Sequence, residues 1–351
     1  MHIYSEKNKY SPGQVVWELT LRCNLKCLHC GSTAGKARKN ELTTEEALKL
    51  CEDLAELKTQ EVCLMGGEPF LRKDWYIIGK KIRDLEMKLM FISNGYNINK
   101  DIISKLVELE PHAVSTSLDG ATAEIHDRIR GVNGSFKKVI EYISSAHKVG
   151  LPTTVITTVS KINLKDLPGI RDLLLGKHIA WQIQVATPEG RFPKEYALSK
   201  EEYYSVALFI ASLQNKYKKG ELPVIGAHCF GYHSRFIPSL GLYPVWMGCQ
   251  GGKSVLSIKS NGDVIGCLVM PESYIEGNIR EKNVKDIWND PNAFVYNRKF
   301  KIENLGENCK GCPHGETCGG GCMGMSIGFT NKPHNHPYCF YKIEPEVLGK
   351  K

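Results

Sequence analysis

Apolar positions in the first two hundred residues follow two alternating rhythms. Short β-branched and aromatic runs at Val15–Thr20, Glu61–Met65, Leu89–Ser93, Ala113–Leu118, Thr153–Val159 and Ala180–Ala186 predict strands. Between them, apolar residues recur at three- and four-residue steps over Thr43–Leu57, Trp75–Leu85, Lys100–Leu109, Phe136–Val149 and Leu164–Leu174, as in helices with one buried face. Thr43 followed by Glu46 forms a capping box, and Ser199 with Glu202 opens a longer helix reaching about Lys219. Strands separated by helices imply a parallel sheet of βα units, and six units are too few for a closed eight-stranded barrel. An open, partial (β/α)6 barrel and a doubly wound sheet both fit.

Beyond Gly220 this rhythm stops. Ser254–Lys259 and Asp263–Val269 flank Asn261-Gly262, a strong hairpin signal that places Cys249 before one strand and Cys267 within the other. Asn308–Cys339 has little apolar periodicity and reads as loops that need inorganic cross-links to hold together. The expected division is an α/β domain over residues 1–220 and a small cysteine-rich domain over 221–351.

Composition narrows the class. The chain has 351 residues, of which 42% are hydrophobic and 24% charged, which excludes a disordered or fibrous protein. No apolar run is long enough to span a membrane, and Met1–Gly13 lacks the apolar stretch of a secretion signal, so a cytoplasmic protein is expected. The net charge of +8 raises nucleic-acid binding, yet Lys80-Lys81, Lys137-Lys138 and Lys218-Lys219 are isolated doublets among acids; a solvated surface is the reading. Cysteine is the anomaly. Thirteen cysteines in a chain expected to be cytosolic do not read as disulfides, and their tight spacings point to metal.

Cys23, Cys27 and Cys30 follow the first predicted strand directly, at the strand end where α/β proteins build active sites. Three thiolates fit structural zinc only if His29 or a distant residue completes the set. A 4Fe–4S cube held by three cysteines instead leaves one iron open to a small ligand.

This C-x3-C-x2-C loop resembles the signature of radical S-adenosylmethionine (SAM) enzymes, whose fold is the partial barrel, and the resemblance extends along the first domain. Gly66-Gly67-Glu68-Pro69 after the second strand matches the segment that binds the SAM amino group, where glycines permit close approach and a carboxylate complements an ammonium. Ser93-Asn94-Gly95 resembles the family's turn beside the cofactor. Ser117 and Asp119 would contact the SAM carboxylate and ribose, with Arg130 or alternatively Lys138 pairing with that carboxylate.

The remaining cysteines, Cys249-x12-Gly262-x4-Cys267, Cys309-x2-Cys312-x5-Cys318-x3-Cys322 and Cys339, resemble the seven-cysteine SPASM extension, which carries two auxiliary 4Fe–4S clusters. The resemblance implies Cys249, Cys267 and Cys322 for the inner cluster and Cys309, Cys312, Cys318 and Cys339 for the outer. Cys229 is then the fourth inner ligand; the alternatives are a vacant iron that could bind substrate, and a Cys229 that is a hydrogen-atom-donating thiol or an inert residue. Cys51 and Cys63 read as core residues.

The family resemblance implies three 4Fe–4S clusters and reductive cleavage of SAM to a 5′-deoxyadenosyl radical that abstracts hydrogen from a substrate, with a flavodoxin- or ferredoxin-type electron donor. Gln182 and Gln184 alternate with Trp181, Ile183 and Val185, so both amides are expected to face the barrel interior. SPASM relatives favour a peptide substrate, a ribosomally made precursor that is cross-linked, epimerised or rearranged. Leu268 after Cys267 departs from the aspartate of sulfatase-maturing relatives. Because Cys23 lies near the start, leader recognition is expected from a separate protein. The alternative is a tetrapyrrole side-chain enzyme, with His228, His233, His334 and His336 as contacts; a non-catalytic iron–sulfur carrier is the third reading.

Overall fold

The computed structural model describes residues 10–217, 220–230, 233–241 and 245–347. Seven βα-type strands run in order: β1 (Gln14–Thr20), β2 (Glu61–Gly66), β3 (Lys88–Ser93), β4 (Ala113–Ser117), β5 (Thr153–Val159), β6 (Ala180–Val185) and β7 (Val224–Gly226). The helices between them are α1 (Thr44–Glu56), α2 (Trp75–Asp84), α3 (Lys100–Leu109), α4 (Ala123–Arg130), α5 (Ser135–Lys148), α6 (Leu167–Leu174) and α7 (Lys200–Lys216). Both predicted capping boxes are present, at Thr43–Glu46 and Ser199–Glu202. The α7 helix stops at Lys216, and Lys218 and Lys219 lie outside the described residues.

All pairings from β1 to β7 are parallel and sequential. Sequential order is that of a barrel; a doubly wound sheet would reverse order at a switch point. The sheet stays open, because β1 and β7 do not pair. Trp17, Leu64, Phe91 and Val114 lie in register, as do Val155 and Trp181, and all six bury completely in the core beneath the helices. The opposite face forms the barrel interior.

The sheet does not end at the expected boundary. A hairpin, β8 (Val255–Ile258) and β9 (Asp263–Ile265), joins it with β10 (Gly277–Asn278), and β8 pairs parallel with the outer edge of β1. The second hairpin strand is shorter than its sequence pattern. It ends at Ile265, and Cys267 lies beyond it in a turn closed by Met270 N–H donating to Cys267 O. Gly266 allows that departure, since a Cβ there would overlap the Tyr296 hydroxyl.

The C-terminal half is also more helical than expected: α8 (Val284–Asn289), α9 (Val295–Arg298), α10 (Gly315–Cys318), α11 (Met323–Thr330) and α12 (Phe340–Val347). Met323, Gly324, Met325, Ser326 and Ile327 are consecutive and all buried in α11, so this helix has no polar face to generate a periodic signal. The α4 helix, capped by Thr122 and ended by Gly131 in the left-handed region, is a second element without a clear apolar stripe.

A buried carboxylate marks the seam between the halves. Glu18, on the interior face of β1, accepts from the Ser260 backbone N–H (3.2 Å) and hydroxyl (2.9 Å) of the hairpin turn. It also pairs with Arg38 at 2.9 Å. Removing one partner of such a pair leaves an uncompensated buried charge, at a cost of about 3 kcal/mol or more. Glu18→Ala leaves Arg38 unpaired at the seam and is therefore expected to lower unfolding stability by roughly 3 kcal/mol, read from the urea midpoint of anaerobically prepared protein. A change below about 0.5 kcal/mol, the size typical of a surface substitution, would contradict this account.

Candidate active site

The loop after β1 carries Cys23, Cys27 and Cys30, and each sulfur receives a hydrogen-bond donor. Leu25 N–H points at Cys23 Sγ (3.5 Å), Asn94 Nδ2 at the same sulfur (3.7 Å), Arg130 Nη1 at Cys27 Sγ (3.6 Å) and Ala34 N–H at Cys30 Sγ (3.3 Å). Such donors stabilise thiolates. Burial acts in the other direction, pushing Cys23 up to about 11 and raising Cys27 against the pull of Arg130. Thiols at least half-buried, surrounded by N–H donors and by one another, suit metal ligation, which supplies the missing positive charge.

Two loops brace this one. Glu68 is completely buried and accepts from the Ser93 hydroxyl (2.8 Å), Asn94 N–H (2.8 Å) and Phe70 N–H (3.4 Å). Despite these bonds, desolvation raises its carboxyl to about 7. The Gly66–Pro69 and Ser93–Asn94 segments are thus brought together as expected, but Glu68 is engaged in tying them to each other. On the other side, the loop after β6 reaches over: Arg191 donates from its N–H to Cys30 O (3.1 Å), from Nε to Cys27 O (3.1 Å) and from Nη1 to Ala34 O (2.8 Å). No local pattern points to this arginine clamp, because its partners are main-chain carbonyls 157 to 164 positions away.

Asp119 and Arg130 also converge, in a different arrangement from the one expected. Arg130 Nη2 pairs with Asp119 Oδ2 at 2.6 Å, and His29 Nε2 reaches the same oxygen at 2.7 Å. The Thr158 N–H donates to Asp119 Oδ1 (2.8 Å). Burial pushes the Asp119 carboxyl up, but Arg130 and His29 together bring it well below the usual range. His29 therefore faces Asp119, and Arg130 pairs within the protein. Lys138 lies on the helix surface with Glu141 and does not face this cluster. Ser117 ends β4 on the interior face, two residues before Asp119.

The C-terminal cysteines form two sets. Cys309, Cys312, Cys318 and Cys339 line one small cavity of about 20 Å³ with His336 and Lys342. Cys322 is half-buried and feels the charges of Cys249, Cys267 and Cys229. Cys229 accepts from Val185 N–H at 3.4 Å, and burial pushes its thiol up to about 12. Cys51 and Cys63 are buried in the barrel, Cys51 within its main core.

An open parallel barrel whose first strand delivers three hydrogen-bonded thiols, fused to a domain with two further thiol sets, defines an iron–sulfur barrel enzyme. Residues 17–174 match the radical SAM superfamily and residues 249–313 the SPASM iron–sulfur cluster-binding domain. The chain's relatives include an AdoMet-dependent heme synthase of Methanosarcina barkeri, 29% identical over 95% of this chain and 97% of that protein. They also include the mycofactocin maturase of Mycobacterium ulcerans, 28% identical over 93% of this chain and 87% of that protein. The fold is that of Streptococcus suis SuiB bound to S-adenosylmethionine, with a TM-score of 0.75 at 18% identity over 93% of this chain and 76% of that one. Among the described residues no helix is long and apolar enough to cross a membrane.

The arginine clamp is directly testable. Hydrogen bonds from a charged donor contribute about 1.5–3 kcal/mol each, so Arg191→Met is expected to loosen the Cys23–Cys30 loop. Iron per chain should fall by about one cluster after desalting, with the auxiliary signal retained in the electron paramagnetic resonance spectrum. Full iron retention with an unchanged spectrum of the SAM-bound first cluster would show that the clamp is dispensable.

Proposed function

We propose that this enzyme modifies a peptide, using SAM as the source of a 5′-deoxyadenosyl radical. Cys23, Cys27 and Cys30 would hold the SAM-binding cluster, Cys309, Cys312, Cys318 and Cys339 the outer auxiliary cluster, and Cys249, Cys267, Cys322 and Cys229 the inner one, making three 4Fe–4S clusters. Ser117 and the Gly66–Pro69 and Ser93–Asn94 segments would border the cofactor. Residues 1–220 would carry the radical chemistry and 221–351 the auxiliary electron transfer, in the cytoplasm, with a separate leader-recognition protein and a flavodoxin- or ferredoxin-type donor.

The observation that carries the peptide reading is the lining of the barrel interior. Register places Ser115 with Thr154, Ser117 with Ile156 and Gln182, and Thr158 with Gln184 on the face opposite the helices. Gln184 Nε2 donates to Thr158 Oγ1 at 3.0 Å. Beyond the first residue of each strand from β1 to β7, the single charged side chain on this face is Glu18, already paired with Arg38. Neutral donors and acceptors suit amide groups, whereas a tetrapyrrole bearing several carboxylates would need cations.

The tetrapyrrole reading is favoured by the names and full-length span of relatives such as the M. barkeri heme synthase. Its expected histidine contacts are largely engaged elsewhere. His334 is buried between Gly319 O and Tyr296 O at 2.7 Å each, His336 accepts from Tyr338 N–H, and His233 stacks on His314. His228 is exposed.

Reconstituted enzyme with dithionite and SAM is expected to form 5′-deoxyadenosine, and more of it with candidate precursor peptides than with iron coproporphyrin. Stimulation by the porphyrin alone would reverse the choice, and no 5′-deoxyadenosine at all would leave an electron carrier. For the inner cluster, Cys229→Ala is expected to lower iron content and alter the auxiliary spectrum. An unchanged spectrum and iron count would remove Cys229 from the ligand set.

A further inference from the structure

The loop between β6 and α7 holds a carboxylate that none of the roles above uses. Glu189 stands two residues before Arg191, so the clamp that fixes the Cys23–Cys30 loop also fixes Glu189. Gly190 is the pivot: its φ is +61°, and a Cβ there would lie 2.2 Å from Cys30 O. The Glu189 side chain turns the other way and covers Gly328 of α11, where a Cβ would meet Oε1 at 2.8 Å. It lies close enough to Cys267 to raise that thiol, after burial and Cys249. Glu189 thus sits between the first cysteine loop and the inner auxiliary set, on the path that joins them.

Its Oε1 is covered and has no hydrogen-bond partner among the described residues. Burial alone pushes its carboxyl up to about 7; among the described residues no lysine, arginine or histidine offsets the effect. Arg191, the nearest arginine in sequence, is engaged with three carbonyls. A covered carboxylate oxygen left without a donor or a cation among the described residues is a deficit that a cationic ligand would fill.

We propose that Glu189 is a specificity-determining substrate contact that receives an ammonium or guanidinium group of the peptide: a lysine or arginine side chain or a free amino terminus. This assignment rests on the peptide reading. It places the cation at the rim of the interior and leaves the neutral lining of β4–β6 to the neighbouring amides.

The test uses holoenzyme and a positional-scanning set of fluorescein-labelled dodecapeptides in which one position at a time is Lys, Gln or Glu. Affinity is read by fluorescence anisotropy. At one position Lys is expected to bind at least tenfold more tightly than Gln or Glu. Glu189→Gln should abolish that preference, and Glu189→Arg should invert it toward Glu. Peptide binding without charge preference, or a preference that both variants retain, would overturn the assignment while leaving the peptide reading intact. No binding by any peptide would overturn both. A loss of iron or an altered auxiliary spectrum in Glu189→Gln would instead make Glu189 a cluster ligand and also overturn it.

Discussion

The free edge of β1 decides the architecture. An unpaired edge strand exposes a row of backbone donors and acceptors, and a barrel hides them by closing. Here β8 takes that edge, pairing in parallel from Gln14↔Val255 to Trp17↔Ile258. With β1 paired on both sides, β7 has no strand to meet, and the barrel stays open. The same pairing carries the hairpin that bears Cys267 to the flank of the strand that bears Cys23. Two groups of cysteines separated by more than two hundred residues are thereby carried at the ends of neighbouring strands of one sheet.

The seam is held from both ends of β8. At its C-terminal end the hairpin turn anchors on Glu18, and on the outer surface the C-terminal half fastens to α1. Arg280 pairs with Glu46 at 2.6 Å, Asn283 Nδ2 donates to Asp53 at 2.8 Å, and Lys285 pairs with Glu56. The outer pairs are solvent-accessible and each contributes little. The interior contact matters more, since a buried carboxylate leaves few alternative positions for the turn that meets it. A rigid seam therefore fixes the separation of the two groups of cysteines that it joins.

Much of this was legible in the sequence, for reasons that differ by element. The six strands and most barrel helices follow from periodicity, because each has one face in the core and one elsewhere. The capping boxes at Thr43 and Ser199 are local and survive unchanged. The cysteine spacing announces metal irrespective of fold. What stayed hidden has no local signal. The α11 helix is buried on all sides; the β8–β1 pairing joins residues more than 230 positions apart; Arg191 recognises carbonyls, which every residue possesses. Glu189 looks like a surface acid in a Pro-Glu-Gly turn, and only the approach of Gly328 covers it. The short β9 shows the converse error: its pattern continues to Val269, but Gly266 and the Tyr296 hydroxyl end the strand first.

The Gly66–Pro69 segment shows how a motif and its geometry can assign different tasks. By resemblance it is a cofactor-binding segment, with Glu68 facing an ammonium. In the structure Gly67 N–H donates to Thr20 O and Glu68 N–H to Arg22 O, both 2.8 Å, so this segment is the floor on which the cysteine loop rests. A Cβ on Gly67 would come within 2.2 Å of Arg22 O, which makes glycine a requirement of the floor itself. Glu68, with its three donors, locks the floor to the turn after β3. The motif is then needed even before any cofactor binds: it fixes the height of Cys23 above the sheet. A carboxylate that burial pushes to about 7 is held in place by the turn it organises, and its remaining capacity to meet an ammonium is secondary to that bracing.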